Sequence, residues 1–123
     1  MQVYYIDTIK KGKAECKMKT FYGGLFIKKE ELAQAGINYP IKLEYYKTIQ
    51  SEEKYSNFKY GIEVVKTAYF GVNHIKVDKK NVDNITDEES KIEKILESLK
   101  RNVVTPVGVE YVIADYLNGL NLA

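Results

Sequence analysis

The chain is poor in residues that cross-link a fold or bind a metal. Its 123 residues include one Cys, one His, two Pro and no Trp. A single Cys excludes an intramolecular disulfide, and one Cys with one His is short of the four ligands that a structural zinc site needs. We therefore expect no metal and no cofactor, and a reducing, cytoplasmic location.

Long apolar runs and known catalytic motifs are also missing. No apolar stretch approaches the roughly 18 residues of a membrane span, and the first residues lack the basic and apolar segments of a signal peptide. The sequence contains no phosphate-binding loop, zinc-protease motif, calcium loop or serine nucleophile motif. We expect a protein that is neither membrane-bound nor an enzyme.

The residues that are present suit one globular domain with an uneven charge. The chain is 45% hydrophobic and 29% charged, and Tyr is in excess at 11 against 4 Phe. Residues 1–80 carry 15 Lys and 9 acidic residues, a net charge of +6, whereas residues 81–123 carry a net charge of −4. The first part is expected to attract anions and the second to repel them.

Hydrophobic periodicity predicts strands first and helices last. Alternation indicates strands over 3–9, 14–22, 41–50, 58–70 and 74–77, the last resuming to 82. A short helix is expected over 28–36. We expect Gly23-Gly24 to interrupt the second strand and Gly61 to mark a bulge.

The C-terminal third predicts two amphipathic helices. Thr86 and Glu89 match a capping box, and Thr105 with Pro106 matches the start of a second helix. The two apolar stripes are Ile92, Ile95, Leu96 and Leu99, and then Val109, Val112, Ile113, Tyr116 and Leu117. Each stripe needs an apolar partner surface, which a preceding sheet would supply.

These elements predict an α+β fold. We expect an antiparallel sheet of four or five strands with a C-terminal helical hairpin packed on one face. The chain is expected to form a single domain over 1–123. Its parts are an N-terminal hairpin plus short helix (1–40), a strand meander (41–85) and the helical hairpin (86–118).

The single Cys and the single His, Cys16 and His74, could support nucleophilic or general-base chemistry, whereas the acidic residues form no pair that stands out as catalytic. Strand alternation predicts that His74 faces solvent without a positioned partner. Cys16 alternates with Ala14 and Met18, which indicates a small core residue; nearby lysines would favour a reactive thiol instead. The sequence indicates no catalytic residue.

Lysines and tyrosines on strands are the candidate binding residues. Lysine strips with aromatic rings are typical of single-strand nucleic-acid binders, whereas Tyr is also enriched at protein interfaces. The single Arg and the absence of an RNA-binding strand motif argue against nucleic acid. The candidates are Lys10, Lys11, Lys13, Lys17, Lys19, Tyr45, Tyr46 and Tyr60.

Several short segments resemble an uncharacterised family, a domain of unknown function found in short proteins of Gram-positive spore-forming anaerobes. The resemblance rests on residues 60–66, 84–86, 104–106 and 112–117, and it covers about 41–117. It implies a small bacterial protein without an assigned activity.

Together, these features favour a small non-enzymatic regulatory or adaptor protein. Its partner is expected to be another protein or a second copy, bound through the exposed Tyr/Lys face of the sheet or through an edge strand. The alternative is nucleic-acid or anion binding through the same strand face.

Overall fold

The computed structural model describes residues 3–10, 13–52 and 58–119, and the side chains of 18–50 and 60–119 within them. In this part of the chain, five strands form one antiparallel sheet in sequence order. They are β1 (Val3–Lys10), β2 (Lys13–Ile27), β3 (Ile41–Glu52), β4 (Phe58–Gly71) and β5 (His74–Thr86). The sheet is therefore a meander, with β1 and β5 at its edges.

Helices precede and follow the central strands. A short helix α1 (Lys29–Leu32) continues into a 3-10 turn that ends at Gly36 with a φ of 78°, a left-handed value that favours glycine. The C-terminal helices are α2 (Glu89–Arg101) and α3 (Val109–Leu117). The predicted α+β fold is confirmed.

The core lies between α2, α3 and the two central strands. The four side chains of the α2 stripe, from Ile92 to Leu99, are fully buried, which confirms the prediction for this helix. In α3, Val109 and Ile113 are buried, but Leu117 is 52% exposed. The sheet side of the core consists of Ile41, Leu43, Tyr45, Ile62 and Val64.

The predicted interruption at Gly23-Gly24 is wrong. β2 continues through both glycines, and its register shifts between Phe21 and Gly23 in a bulge. A Cβ atom at Gly23 would lie 3.1 Å from the Lys100 side chain. The missing side chain thus leaves room for the end of the Lys100 side chain, which comes from α2.

The predicted helix starts also need correction. Thr86 is the last residue of β5, and its hydroxyl accepts a hydrogen bond of 3.1 Å from the Glu88 amide. Glu88, not Thr86, is the residue that precedes α2. Thr105 and Pro106 begin a 3-10 turn, Pro106–Gly108, and α3 begins only after it. The local signals identify the turns correctly but place each helix start two to three residues early.

The bulge predicted at Gly61 is confirmed. The register between β4 and β5 shifts between Tyr60, which pairs with Thr86, and Ile62, which pairs with Val82. A Cβ atom at Gly61 would lie 2.5 Å from the Val82 carbonyl oxygen and 2.6 Å from Thr48 Oγ1. Real Cβ atoms do not approach other atoms this closely, so the chain needs glycine here.

Gly61→Ala is expected to destabilise the protein by about 2 to 3 kcal/mol, because backbone must move to admit the methyl group. Urea unfolding measures the change. Gly71→Ala is the matched control, since a Cβ there has nothing within 4 Å. Equal unfolding midpoints for the two variants would contradict the close approach at Gly61.

Candidate functional site: the open face of the sheet

The helices lie on one face of the sheet and define the opposite face, here called the open face. Leu43 and Tyr45 face α2 and α3 in the core. Side chains alternate along a strand, so Lys42, Glu44 and Tyr46 lie on the open face. The same alternation, followed across the register of the sheet, adds residues of three other strands to this face. They are Phe21 and Phe26 of β2, the odd-numbered residues from 63 to 69 of β4, and the odd-numbered residues from 75 to 81 of β5.

One end of the open face is a closely packed polar network. Lys19 Nζ lies 3.4 Å from Glu63 Oε1 and 4.4 Å from the centre of the Tyr46 ring. Phe21 packs edge-on against that ring, with the ring centroids 5.6 Å apart. The Tyr46 hydroxyl donates a hydrogen bond of 2.9 Å to Glu44. The Lys19 charge is therefore compensated, and the Tyr46 ring, 7% exposed, is largely covered.

The other end of the open face is apolar and exposed. Phe26, Ile75 and Val77 are exposed by 59%, 54% and 50%, respectively. The Phe26 and Tyr69 rings lie 6.2 Å apart, and Tyr69 pairs with Ile75 on the neighbouring strand. We call Phe26, Tyr69, Ile75 and Val77 the apolar patch. Contiguous exposed apolar side chains mark interaction sites far better than scattered ones.

Two of the predicted binding tyrosines lie on the helix side of the sheet instead. Tyr45 is fully buried, and its hydroxyl donates a hydrogen bond of 2.8 Å to the Val104 carbonyl. Tyr60 is half-buried and packs against the core. Both rings are therefore part of the packing between sheet and helices, and a ligand on the open face does not reach them.

Burial raises the pKa of Tyr45 to about 12. The pKa of Tyr22 is also raised to about 12, first by burial and then by its hydrogen bond of 2.7 Å to the Glu97 carboxylate and by the charges of Glu97 and Glu93. Both phenols are thus held protonated. This is the opposite of the lowered pKa that would activate a phenol as a base at neutral pH.

The predicted N-terminal lysines fall mainly outside the described side chains. Lys11 is outside the described residues altogether. The backbone of Lys10 pairs with that of Lys13, and the backbone of Lys17 pairs with Ile6 and Gln50. Their role in binding stays a prediction, as does any role of the Cys16 thiol.

His74 is exposed, as predicted from strand alternation. Its ring lies 5.1 Å from the Phe70 ring. Within the described part of the chain, no group of three or more His, Cys, Asp or Glu is placed to hold a metal ion. Nor does that part contain a helix long and apolar enough to cross a membrane.

Comparison with known proteins gives the chain a family. A family of unknown function, DUF6514, matches residues 24–119. The chain belongs to the DUF6514 family. The resemblance to a domain of unknown function is thereby confirmed, and the match begins earlier than the expected residue 41. No curated protein and no solved structure matches the chain.

The DUF6514 match separates the two candidate regions of the surface. It contains all four residues of the apolar patch, because it begins at the second half of β2. The five candidate lysines from Lys10 to Lys19 precede it. The structural core and the apolar patch therefore both belong to the DUF6514 region, and the lysine-rich segment 10–19 lies outside it.

The Tyr45 hydroxyl is expected to make stability depend on pH in alkali. Its pKa is about 12 in the folded protein, against 10.0 for an unperturbed Tyr. Above pH 10 the unfolded state therefore holds fewer protons, so the free energy of unfolding falls as the pH rises towards 12. Tyr45→Phe should lose about 1 kcal/mol at pH 7 and lack this part of the alkaline decline.

Urea unfolding at a series of pH values between 7 and about 11 measures both effects. Tyr111→Phe is the control, because Tyr111 is 74% exposed. It should match the wild type throughout. An alkaline decline in Tyr45→Phe as steep as in the wild type would contradict this role of Tyr45.

Proposed function

We propose that the protein is a small non-enzymatic regulatory or adaptor protein that binds another protein through the open face of its sheet. The observation that carries the proposal is the apolar patch. Three of its four side chains are at least half exposed, although the patch as a whole lies on three strands of a well-packed sheet. An interface core built on such a patch would gain affinity from its removal from water.

The surroundings of the patch indicate the chemistry of the partner. Lys42 Nζ lies 3.7 Å from Glu44 Oε1, so the Lys42 charge is already compensated. Lys79 is exposed on β5 beside Val77 and has no ion pair among the described residues. The partner surface that fits is therefore an apolar centre with a carboxylate at its rim opposite Lys79, because opposite charges at a rim guide association.

We also propose a cellular location for the protein. The protein would act in the cytoplasm of a bacterium, and the resemblance points to Gram-positive spore-forming anaerobes. The single Cys supports a reducing compartment. Nucleic-acid binding through the Lys/Tyr strand face has less support, because Lys19 is paired with Glu63 and the Tyr46 ring is covered.

Ile75→Asp and Phe26→Asp are expected to weaken partner binding by tenfold or more, since each places a charge in the centre of the interface. The tagged protein is used to capture partners from a native lysate, with and without nuclease. The captured protein is then purified and its affinity measured for each variant. Circular dichroism checks that both variants remain folded.

Val107→Asp is the matched control, because Val107 is 85% exposed and lies on the turn before α3, away from the patch. The proposal requires a nuclease-resistant protein partner that binds this control normally and the patch variants weakly. Equal binding by all three variants, capture that depends on nucleic acid, or self-association through the patch would each overturn it.

A further inference from the structure

A second candidate site lies on the helix side of the sheet, away from the apolar patch. A cleft of about 490 Å³ opens between the edge strand β5 and the turn that precedes α3. The side chains of Lys66, Lys76 and Lys80 line its sheet side, and Pro106 and Val107 line the opposite wall. Its volume lies within the usual range of small-molecule sites.

The register of β4 and β5 brings these lysines together. Lys66 pairs with Asp78, Lys76 with Ala68, and Lys80 with Val64. Lys76, Asp78 and Lys80 alternate along β5 and share one face. Lys66 consequently lies between Lys76 and Lys80 on the neighbouring strand, at the diagonal positions that long side chains can reach.

The cleft has more positive charge than its own carboxylates compensate. Lys80 Nζ lies 3.0 Å from Glu110 Oε1 across the cleft. Among the described side chains, Lys66 and Lys76 take part in no ion pair, even though Asp78 lies opposite Lys66. Three lysines on this face thus meet two carboxylates, those of Asp78 and Glu110. Like charges at this spacing repel, and a bound anion would relieve the repulsion.

We propose that this cleft binds a small organic phosphate, of the size of a nucleoside diphosphate. Lysine ammonium groups bind phosphate as point charges, and several of them suit a ligand with more than one negative charge. Val107, 85% exposed, and Pro106 offer an apolar wall to the organic part of the ligand. This inference does not depend on the proposed function, since the two sites lie on opposite faces of the sheet.

Two polar groups on the far wall suit the same ligand class. The Thr105 side chain makes no capping hydrogen bond in the turn that follows it, so its hydroxyl can donate to a phosphate oxygen. Glu110 is 64% exposed in its side chain and can accept a hydrogen bond from a ligand hydroxyl while Lys80 turns to the phosphate. The expected ligand therefore carries both phosphate and hydroxyl groups.

Isothermal titration calorimetry with ADP, in dilute buffer, tests the proposal on the full chain. Lys66→Met and Lys76→Met are each expected to weaken ADP binding by tenfold or more. Lys94→Met is the matched control, because it removes an exposed lysine of α2 that lies outside the cleft. ADP should also shift the amide resonances of Thr105 and Lys80 in the wild type. Adenosine, which lacks the charge, should not bind.

The variants give a second readout that does not involve a ligand. Because Lys66→Met and Lys76→Met relieve repulsion in the free protein, their urea midpoints should equal or exceed that of the wild type. Three outcomes would overturn the proposal: no binding of ADP, equal weakening by Lys94→Met, or pyrophosphate binding as tight as that of ADP. Tighter binding of a single-stranded oligonucleotide at the same lysines would overturn it too.

Discussion

Packing of the α2 stripe against β3 and β4 determines which surfaces of the protein remain accessible. The stripe has no exposed surface and forms one hydrophobic core with Leu43 and Ile62 of the sheet. Its residues are Ile92, Ile95, Leu96 and Leu99. In a meander, each strand has one side-chain set on each face. Once the helix covers one set, the other set, which includes Tyr46 and Tyr69, must form the open face.

The same packing also forms the cleft on the helix side. The Tyr45 hydroxyl bonds to the Val104 carbonyl, directly before the turn that carries Pro106 and Val107. This bond holds the turn close to the sheet, while Lys80 and Glu110 join β5 to α3. A single hydrophobic layer thus supports two surfaces of different chemistry, an apolar one on the open face and a cationic one beside β5.

The sequence predicts much of the fold because its signals are local. Strand alternation and the i, i+3, i+4, i+7 stripe from Ile92 to Leu99 depend on neighbours within a few residues. The continuation of β2 through Gly23 could not be predicted in this way. It depends on the pairing of Gly23 with Tyr45 of β3, 22 positions further along the chain.

The candidate surfaces are harder to predict because their residues are distant in sequence and meet only through strand pairing. Phe26 is far in sequence from Ile75 and Val77, and the register of four strands brings them to one face. The N-terminal lysines stood out by local density, but Lys19 is compensated by Glu63, two strands away. Lys66 and Lys76 likewise converge only through the pairing of β4 with β5.

The proposed binding surface requires that the open face is bare in the isolated protein. The measurement that tests this is the line broadening of Ile, Leu and Val methyl resonances by a soluble paramagnetic chelate. We expect strong broadening of Ile75 and Val77, and protection of Ile62 and Leu96, which are fully buried. Protection of Ile75 and Val77 in the monomer would show that part of the chain covers this face, and would contradict the account.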